Sequence, residues 1–521
     1  METDIRNKAR RVFSLMVMAL PALLVACSGD DIAADSDTPD TPDTQQKKTV
    51  TLAATVGGNA NSGTRVGMTK STDGTTATFY WNKGDAIWVQ TVKDDTYSGA
   101  EFTTENSDGA TTAYFKGDID GDTQLGKYAF YPYNANHRRR SEKEYTFYMP
   151  ATYDNYEVGS AIFSKTVDGT TTYPAASTNI PLIGVIEGDK IEFKHLGGVL
   201  VIRIDKMPGA SGTLTVSSDN RLSSNFFISD ITAEEVSMET PSPLNPADAK
   251  VTFNFINATK DAAGVFYLPL ATGTYSNLKV SMTVDGGETK TADCGDLTVS
   301  RAEINAMPLH VTSTGDLIKP LGNGKYYVNG HVFVDLGVSV LWAEENVGPG
   351  TGGDYDDFFA WGETSNKWGG YIYTNYKWTE GNSTTFTRYY SEDGLTTLKA
   401  EDDAATVNWG ASCRTPTKAE FEELLKCTWT KTDTDYDEKT MGGYTVSGKD
   451  EYSGNSIFIP FMGYRYDSNY NSAGECFFCW TSSRNPDDVT SAYFCSNVNG
   501  YNYMSDTYRW SGMSVRAVVK K

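Results

Sequence analysis

Short runs in which apolar and polar residues alternate recur from Thr49 onward, and Gly, Asn, Asp or Ser separates one run from the next. Early examples are TVTLAATV, ATFYW, AIWVQ and KYAFYPY. Because successive side chains of a β-strand point to opposite faces, this period of two predicts strands with one buried face. The frequent turn residues indicate antiparallel sheets packed as sandwiches. The sequence therefore predicts a mainly β protein.

Composition narrows the class of protein further. The chain has 521 residues, with 45 Lys and Arg against 67 Asp and Glu, for a formal net charge of -22. Nucleic-acid affinity depends on neutralising phosphates, so no nucleic-acid partner is expected. Only 39% of the residues are hydrophobic, which excludes a protein with many membrane spans. At roughly 100–200 residues per domain, the length fits about three domains.

Residues 1–26 have the form of a secretory signal peptide, with basic residues, then an apolar stretch, then the small Ala26. The residues LVAC at 24–27 are similar to the bacterial lipobox. This resemblance implies cleavage before Cys27 and acylation of Cys27 with chains such as palmitate. Several acyl chains give stable attachment, so we expect a lipoprotein anchored in the outer membrane. The alternative is an ordinary signal peptide followed by a Cys.

Residues 27–48 are acidic, rich in Pro and Thr and without apolar periodicity, and they are predicted to form an extended tether. Asp30 and Asp31 resemble the acidic export signals of Bacteroidota surface lipoproteins. This resemblance favours surface exposure, and an ordinary solvated linker is the alternative.

Three segments, at 64–66, 79–89 and 193–200, resemble the fimbrillin family of Bacteroidota pilins. The resemblance implies two fimbrillin-like β-sandwiches, at 49–190 and 191–312. It also implies assembly into fimbriae, in which proteolysis after an Arg near the start of the first domain opens a groove for the donor strand of another pilin subunit. Arg65 occupies that place. The alternative is that Arg65 only begins a strand in a lipoprotein that is never cut.

Neither predicted sandwich contains a pattern of catalytic or metal-binding residues. His195 and His310 lie in or beside strand-like segments, with no second His, Cys or carboxylate at ligand spacing. We therefore expect packed or hydrogen-bonded histidines, no metal and no cofactor.

Tryptophan marks a boundary near 313–324, which is predicted to be a linker, because most of the Trp residues follow it. Segments at 334–343, 359–364, 402–405, 414–417, 463–465, 480–483 and 514–518 resemble the Fibrobacter major paralogous domain. This resemblance, which covers most of 325–521, implies an α+β domain with a C-type-lectin-like fold. Cys413 and Ala517 depart from the family pattern, which usually has an aromatic residue and Pro there.

One helix is predicted after Thr417, whose hydroxyl and Glu420 form a capping box, with Phe421, Leu424 and Leu425 on one face. The surrounding sequence predicts short strands and long turns. The C-type-lectin-like fold, shared with formylglycine-generating enzymes and phage receptor-binding proteins, presents variable residues on a rigid scaffold.

The segment 467–510 is rich in Tyr, Asn, Ser, Asp, Phe and Cys, as antibody paratopes are. The same residues arise from asparagine codons by adenine substitution, so the segment also resembles proteins diversified by retroelements. We predict a ligand face formed by Tyr466, Tyr470, Phe477, Phe478, Tyr493, Asn497, Tyr501, Tyr503 and Tyr508. The alternative is an ordinary set of strand and turn residues. Trp480 and Val515 are assigned to the core.

Six cysteines follow Cys27, namely Cys294, Cys413, Cys427, Cys476, Cys479 and Cys495. The pair in Cys476-x-x-Cys479 is compatible with zinc or a disulfide, but no second pair has zinc-ribbon spacing. Formylglycine-generating enzymes need a catalytic thiol pair, and their flanking motif is missing here. A bridge between Cys413 and Cys427 requires the chain to turn back beyond the helix.

Two groups of acidic residues contain the oxygen ligands that Ca²⁺ prefers. The first is Asp354, Asp356 and Asp357, and the second is Glu401, Asp402 and Asp403. Their spacing matches no calcium loop, so turns or local caps are favoured. Paired carboxylates for glycoside hydrolysis stay an open alternative, since sequence does not give their separation in space.

Together these features predict a surface lipoprotein that is a fimbrial adhesin, with a C-terminal lectin-like domain that binds a protein or glycan. The first alternative is a carbohydrate-binding surface lipoprotein without pilus assembly. The second is an enzyme related to formylglycine-generating enzymes, and the sequence favours a protein that is not an enzyme.

Overall fold

The computed structural model describes residues 47–56, 67–70, 77–106, 109–158, 165–167, 170–172, 180–232, 236, 238, 245–301, 303–348, 358–367, 370–436, 439–498 and 500–521. The predicted signal peptide, Cys27 and Arg65 lie outside these residues, as do Asp354, Asp356 and Asp357. The described chain is mainly β, as the alternating pattern predicts.

The N-terminal part begins with a closed barrel. Its strands and their neighbours in the chain are β1 (Lys47–Val56), β2 (Gly67–Lys70), β3 (Ala77–Tyr80), β4 (Ala86–Lys93), β5 (Thr96–Thr104), β6 (Ala113–Asp120), β7 (Gln124–Tyr131), β8 (Arg138–Arg139), β9 (Tyr145–Met149), β10 (Thr152–Glu157), β11 (Lys165–Val167), β12 (Thr170–Thr172), β13 (Leu182–Glu187) and β14 (Lys190–His195). The barrel order is β1-β14-β13-β7-β4-β5-β6, with β6 returning to β1.

Alternating side chains fill the barrel, because every second residue of a strand faces inward. In β14, for example, Ile191, Phe193 and His195 are buried while the residues between them are exposed. Trp81 is fully buried and packs edge to face against Phe115, with ring centroids 5.0 Å apart. The boundary expected at 190/191 falls inside β14, so strand pairing carries the barrel through His195.

A sandwich follows the barrel. Its strands are β15 (Gly197–Ile204), β16 (Gly212–Ser217), β17 (Ser224–Ile228), β18 (Lys250–Ile256), β19 (Gly264–Ala271), β20 (Gly273–Val284), β21 (Lys290–Val299) and β22 (Ile304–Val311), with a 3-10 helix at Pro246–Ala249. One sheet has the order β10-β18-β16-β20-β21, and it packs against β19, β15 and β22 through a shared apolar core. Strand β10 lies within the predicted first domain at 49–190, but its pairing makes it part of the sandwich.

The C-terminal part contains β23 (Leu317–Gly322), β24 (Lys325–Val328), β25 (His331–Asp335), β26 (Val340–Asn346), β27 (Thr428–Tyr436), β28 (Lys439–Ser447), β29 (Ser456–Pro460), β30 (Tyr464–Tyr466), β31 (Asn469–Asn471), β32 (Phe478–Arg484), β33 (Ser491–Val498), β34 (Tyr501–Tyr508) and β35 (Arg516–Lys520). Its helices are α1 (Ala404–Trp409) and α2 (Lys418–Leu424), and its 3-10 helices are Tyr373–Asn375, Ser391–Asp393, Ala400–Asp402 and Asp450–Tyr452.

One eight-stranded sheet joins the sandwich to the C-terminal part. Its order is β19-β15-β22-β23-β24-β25-β26-β35. Strand β23 occupies half of the segment expected to be a linker at 313–324, and it pairs with β22 through His310↔Ile318 and with β24 through Lys319↔Tyr327. The connection is therefore a pair of ladders, which holds the two parts in one sheet.

Helix α2 forms where the capping box predicts it. The Thr417 hydroxyl accepts a hydrogen bond from the Glu420 N–H at 3.3 Å, and the Glu420 carboxylate accepts one from the Thr417 N–H at 2.8 Å. Phe421 and Leu424 are buried against the sheet, as their spacing predicts. Helix α1 was not predicted. It is only a turn and a half long, which is too short for a clear hydrophobic period.

Among the described residues, the structure contains no helix with both the length and the apolar character needed to cross a membrane.

Candidate ligand-binding face

The short hairpin of β30 and β31 presents Tyr466 and Tyr470, both well exposed. The Tyr470 ring meets the buried Phe358 ring edge to face at 5.4 Å, and the Arg465 guanidinium lies 4.6 Å from the Tyr470 centroid. A cation over an aromatic face is attracted by the ring quadrupole, which favours this orientation of Tyr470.

A second aromatic group lies at the end of β34. Tyr508 stacks on Trp510 with centroids 4.5 Å apart and an interplanar angle of 9°. Tyr373, from a 3-10 helix, meets Trp510 edge to face at 5.9 Å. Trp510 is buried, while Tyr508 is 46% exposed and Tyr373 is 40% exposed. The three rings therefore form one layer, in which Trp510 is buried and the two tyrosines are partly exposed to solvent.

Backbone pairing places these two groups on adjoining segments. Arg465 and Gly512 exchange hydrogen bonds at 2.8 Å in both directions, and the Tyr371 N–H donates to the Asp467 carbonyl at 2.9 Å. Tyr371 is buried, and its hydroxyl donates to the Phe358 carbonyl at 2.5 Å. We call Tyr373, Tyr470, Tyr508 and Trp510 the aromatic face.

Arg509 supports this face from below. Its fully buried guanidinium donates to the carbonyls of Tyr389 at 2.8 Å and Arg388 at 3.3 Å, and lies 4.1 Å from the Phe386 centroid. Burial lowers the pKa of Arg509 from its usual value. These bonds attach the long insert before α1 to the end of β34, next to Tyr508.

The remaining exposed tyrosines lie elsewhere. Tyr501 and Tyr503 share one side of β34, and Tyr508, five residues after Tyr503, falls on the other side by alternation. Tyr501 is 78% exposed at the far end of that strand. The nine residues predicted to form one ligand face therefore divide into separate groups.

Three of the nine predicted residues are buried. Phe477 and Phe478 pack into two different core clusters, and Asn497 donates its side-chain N–H to Asn502 Oδ1 at 2.7 Å. Tyr493 is half-buried beneath the Lys418 ammonium, 3.9 Å from the ring centroid. Burial keeps Phe477, Phe478 and Asn497 from an exposed face, and composition could not show this because it does not tell which side of a strand faces the core.

Sequence reasoning assigned no role to Tyr373 or Arg509. Neither has a local signal, since their positions depend on contacts with residues more than a hundred positions away in the chain. Trp480 and Val515 are buried, in agreement with their assignment to the core.

The six cysteines that the structure describes are all buried and unbridged. Cys476 and Cys479 pack into different core clusters, on opposite sides of the same segment. Burial raises the pKa of Cys476 and that of Cys495, which disfavours the reactive thiolate. Cys413 and Cys427 likewise belong to two different clusters. Within the described ranges, no group of three or more His, Cys, Asp or Glu is placed to hold a metal ion.

The acidic residues before α1 have protein partners. Asp403 caps α1 through the Ala405 N–H at 2.9 Å and accepts from the Thr415 hydroxyl at 2.7 Å. Asp402 accepts from the Tyr389 hydroxyl at 2.8 Å and pairs with Arg388 at 3.1 Å. Asp403 is thus a local cap, and Asp402 forms an ion pair that the sequence did not indicate.

The two histidines considered from the sequence have different surroundings. His195 is buried in the barrel, and burial together with the charge of Arg301 lowers its pKa to about 3. His310 is partly exposed, with Nδ1 2.5 Å from Asp205 Oδ2.

Comparisons with known proteins give distant likenesses. No family model matches the chain, and no curated protein matches it. A candidate cell adhesion protein from Bacteroides uniformis is similar at 16% identity and TM-score 0.29, over 54% of this chain and 98% of that one. One from Bacteroides ovatus is similar at 12% identity and TM-score 0.31, over 53% and 96%.

The tip fimbrial protein Mfa3 from Porphyromonas gingivalis, with a C-terminal truncation, is similar at 11% identity and TM-score 0.21, over 54% of this chain and 99% of that one. TM-scores this far below 0.5 do not establish a common fold.

Proposed function

We propose that this chain is a lipid-anchored surface adhesin of the fimbrial type, in which the barrel is an assembly module and the C-terminal part binds a protein or glycan. The observation that carries the proposal is the position of β1. This strand closes the barrel between β6 and β14, and it is joined to the rest of the barrel through the segment that contains Arg65.

Main-chain pairing along both edges holds β1 in the barrel. It runs antiparallel to β6 from Lys47↔Asp120 to Ala54↔Ala113, and parallel to β14 from Ala53↔Lys190 to Val56↔Phe193. A strand held this way can be replaced by another of similar pattern, because main-chain bonds give affinity and alternate side chains give specificity.

Few side chains of β1 enter the core. Leu52 and Ala54 are fully buried, while the flanking Thr51 and Thr55 are exposed. A cut after Arg65 would separate β1 from the barrel and leave a groove lined by the core around Leu52. The donor strand of another subunit, with an apolar residue at the matching position, would fill that groove.

The aromatic face supports the binding role. Tyrosine provides large, rigid contact area with a polar hydroxyl, and these rings are fixed by stacking and by the bonds of Tyr371 and Arg509. An ordered aromatic surface binds with little loss of side-chain entropy. The resemblance of the C-terminal sequence to lectin-like domains, which present variable residues on a rigid scaffold, supports a binding role for these exposed residues.

Assembly is tested on the full chain expressed in a bacterial outer membrane and treated with an Arg-specific protease. We expect loss of the segment before residue 66, followed by a ladder of high-mass species in mild denaturant. Arg65→Ala should give neither the cut nor the ladder, while the matched control Arg138→Ala should behave as wild type. A cut chain that stays monomeric would contradict the assembly role.

Ligand binding is tested by applying the purified full chain to a glycan array and to immobilised host-surface proteins. Tyr508→Ala and Tyr470→Ala should each weaken binding about tenfold, since a stacking or interface aromatic contributes about 1–2 kcal/mol. Tyr114→Ala is the matched control, because Tyr114 is an exposed tyrosine of the barrel. Equal losses in all three variants would refute the aromatic face as the binding site.

The two experiments also distinguish the proposed fimbrial adhesin from its main alternative. Glycan binding without any ladder after the cut would favour a carbohydrate-binding lipoprotein that does not assemble.

A further inference from the structure

A cavity of about 400 Å³ opens where β15 and β22 meet β23 and β24. Its walls are mainly apolar, with Val265, Pro308, Pro320 and Tyr326 among the lining residues. Small-molecule sites have this character, being concave, mostly apolar and roughly 300–1,000 Å³ in volume, with a few polar groups that fix orientation.

Strand register brings one cation to this cavity. Arg203 of β15 lies opposite Val265 of β19 and beside Pro308 of β22. Neighbouring Ile202 and Ile204 are buried in the sandwich core, so Arg203 projects from the other face of the sheet. Its guanidinium has no hydrogen bond or ion pair with any residue that the structure describes.

A fixed carboxylate and imidazole lie at the same end. Asp205 Oδ1 accepts from the Val311 N–H at 2.9 Å, and Oδ2 lies 2.5 Å from His310 Nδ1. An ionised carboxylate only accepts hydrogen bonds, so Nδ1 carries the proton and Nε2 stays available to a ligand. The tilted Tyr326 ring, 5.9 Å from the imidazole, forms an aromatic wall.

These charges select the ligand. The planar fork of Arg203 matches a carboxylate in geometry and charge. Asp205 is a negative neighbour, which disfavours a dianion such as a phosphate more than a monoanion. We propose that the cavity binds a small organic monocarboxylate, with its carboxylate on Arg203 and its apolar body against Val265, Pro308 and Tyr326. The site is independent of β1 and of the aromatic face.

The probe is 4-fluorobenzoate, titrated into the full chain and followed by ¹⁹F NMR. A ligand of this size with one ion pair is expected to bind with a Kd of roughly 1 mM. Arg203→Gln, at an exposed position, should weaken it about tenfold or more, since a charge-assisted bidentate contact is lost. Val265→Trp should fill the cavity and remove binding. Arg138→Gln, which changes an exposed arginine of β8 that does not line the cavity, should change nothing.

Two matched probes test the chemistry. Neutral 4-fluorobenzyl alcohol should bind about tenfold more weakly than the acid and should not respond to Arg203→Gln. Dianionic 4-fluorophenyl phosphate should also bind more weakly. Absence of benzoate binding at about 20 mM, or a Kd unchanged in both Arg203→Gln and Val265→Trp, would overturn the proposal. Tighter binding of the phosphate would overturn the assignment to a monocarboxylate.

Discussion

The N-terminal barrel and the C-terminal part bury ionisable groups in different ways. The N-terminal part buries His137 and His195, whose pKa values are lowered by burial to about 4 and about 3. The C-terminal part buries Arg509 and Arg516, each of which donates from Nη1 and Nη2 to backbone carbonyls. The barrel region therefore contains buried histidines that resist protonation, and the C-terminal part contains buried cations that connect distant segments.

The difference follows from how each region satisfies its backbone. In the barrel, ladders pair almost every strand on both sides, so the core needs no further donors. In the C-terminal part, long irregular segments leave carbonyls without ladder partners, and a buried arginine can reach two of them at once. Arg509 does this in the irregular insert, where it donates to the carbonyls of Tyr389 and Arg388. Arg516 instead connects two strands, since it donates to Ala343 of β26 at 3.2 Å and to Phe458 of β29 at 2.9 Å.

Acid should affect the two regions unequally, and this is the largest effect expected. His137 is buried with Nε2 3.0 Å from the Pro132 carbonyl, and its Nδ1 accepts from the Tyr148 N–H at 3.1 Å. Each histidine has a folded pKa below the ordinary 6.5, so its stabilising contribution is present above pH 6.5 and is lost as the pH falls toward about 4. The loss at pH 4 is about 3 kcal/mol for each histidine.

Hydrogen exchange with peptide mass spectrometry at pH 7 and pH 4, corrected for the intrinsic rate, measures this loss region by region. We expect the barrel to lose protection first. His137→Gln, which keeps a donor and an acceptor but does not titrate, should remove about half of the acid sensitivity. The C-terminal part also contains a histidine, His331, but it is only half-buried, so we expect it to add less acid sensitivity. An equal loss of exchange protection in both regions at pH 4 would therefore contradict the comparison.

Arg516→Met should destabilise the C-terminal part by about 3 kcal/mol, because two buried carbonyls lose a charged donor. The measurement is urea unfolding followed by exchange in the peptides that contain Ala343 and Phe458. The control is Arg138→Met, which changes an exposed arginine and should shift stability by less than about 0.5 kcal/mol. If Arg516→Met lowered the stability no more than this control does, the buried arginine would not be needed to connect these segments.

Local signals in the sequence were reliable where the structure depends on neighbours in the chain. The mainly β pattern and the capping box of α2 depend on residues within a few positions, and both are confirmed. Helix α1 was missed since it is short and its cap, Asp403, is held by Thr415 twelve residues later.

Strand pairing over long distances could not be predicted in the same way. The residues expected to form a linker pair with β22 and β24 as β23, which depends on partners on both sides. The candidate face shows the same limit. Tyr470 and Tyr508 are exposed as predicted, but Phe477, Phe478 and Asn497 are buried, because only the register of β32 to β34 decides which alternate residue meets the core.

The capping box provides the smallest and most local test of the comparison. Thr417→Ala removes a side-chain acceptor from the first turn of α2 and should cost about 1 kcal/mol. Thr417→Ser keeps the acceptor and is the matched control. The Glu420 carboxylate also pairs with Arg414, with Oε2 2.8 Å from Nη1, so Glu420→Gln should cost more than the cap alone. Urea unfolding of the three variants measures these differences. A loss from Thr417→Ala as large as that from Arg516→Met would mean that local caps stabilise the C-terminal part as much as its buried arginines do.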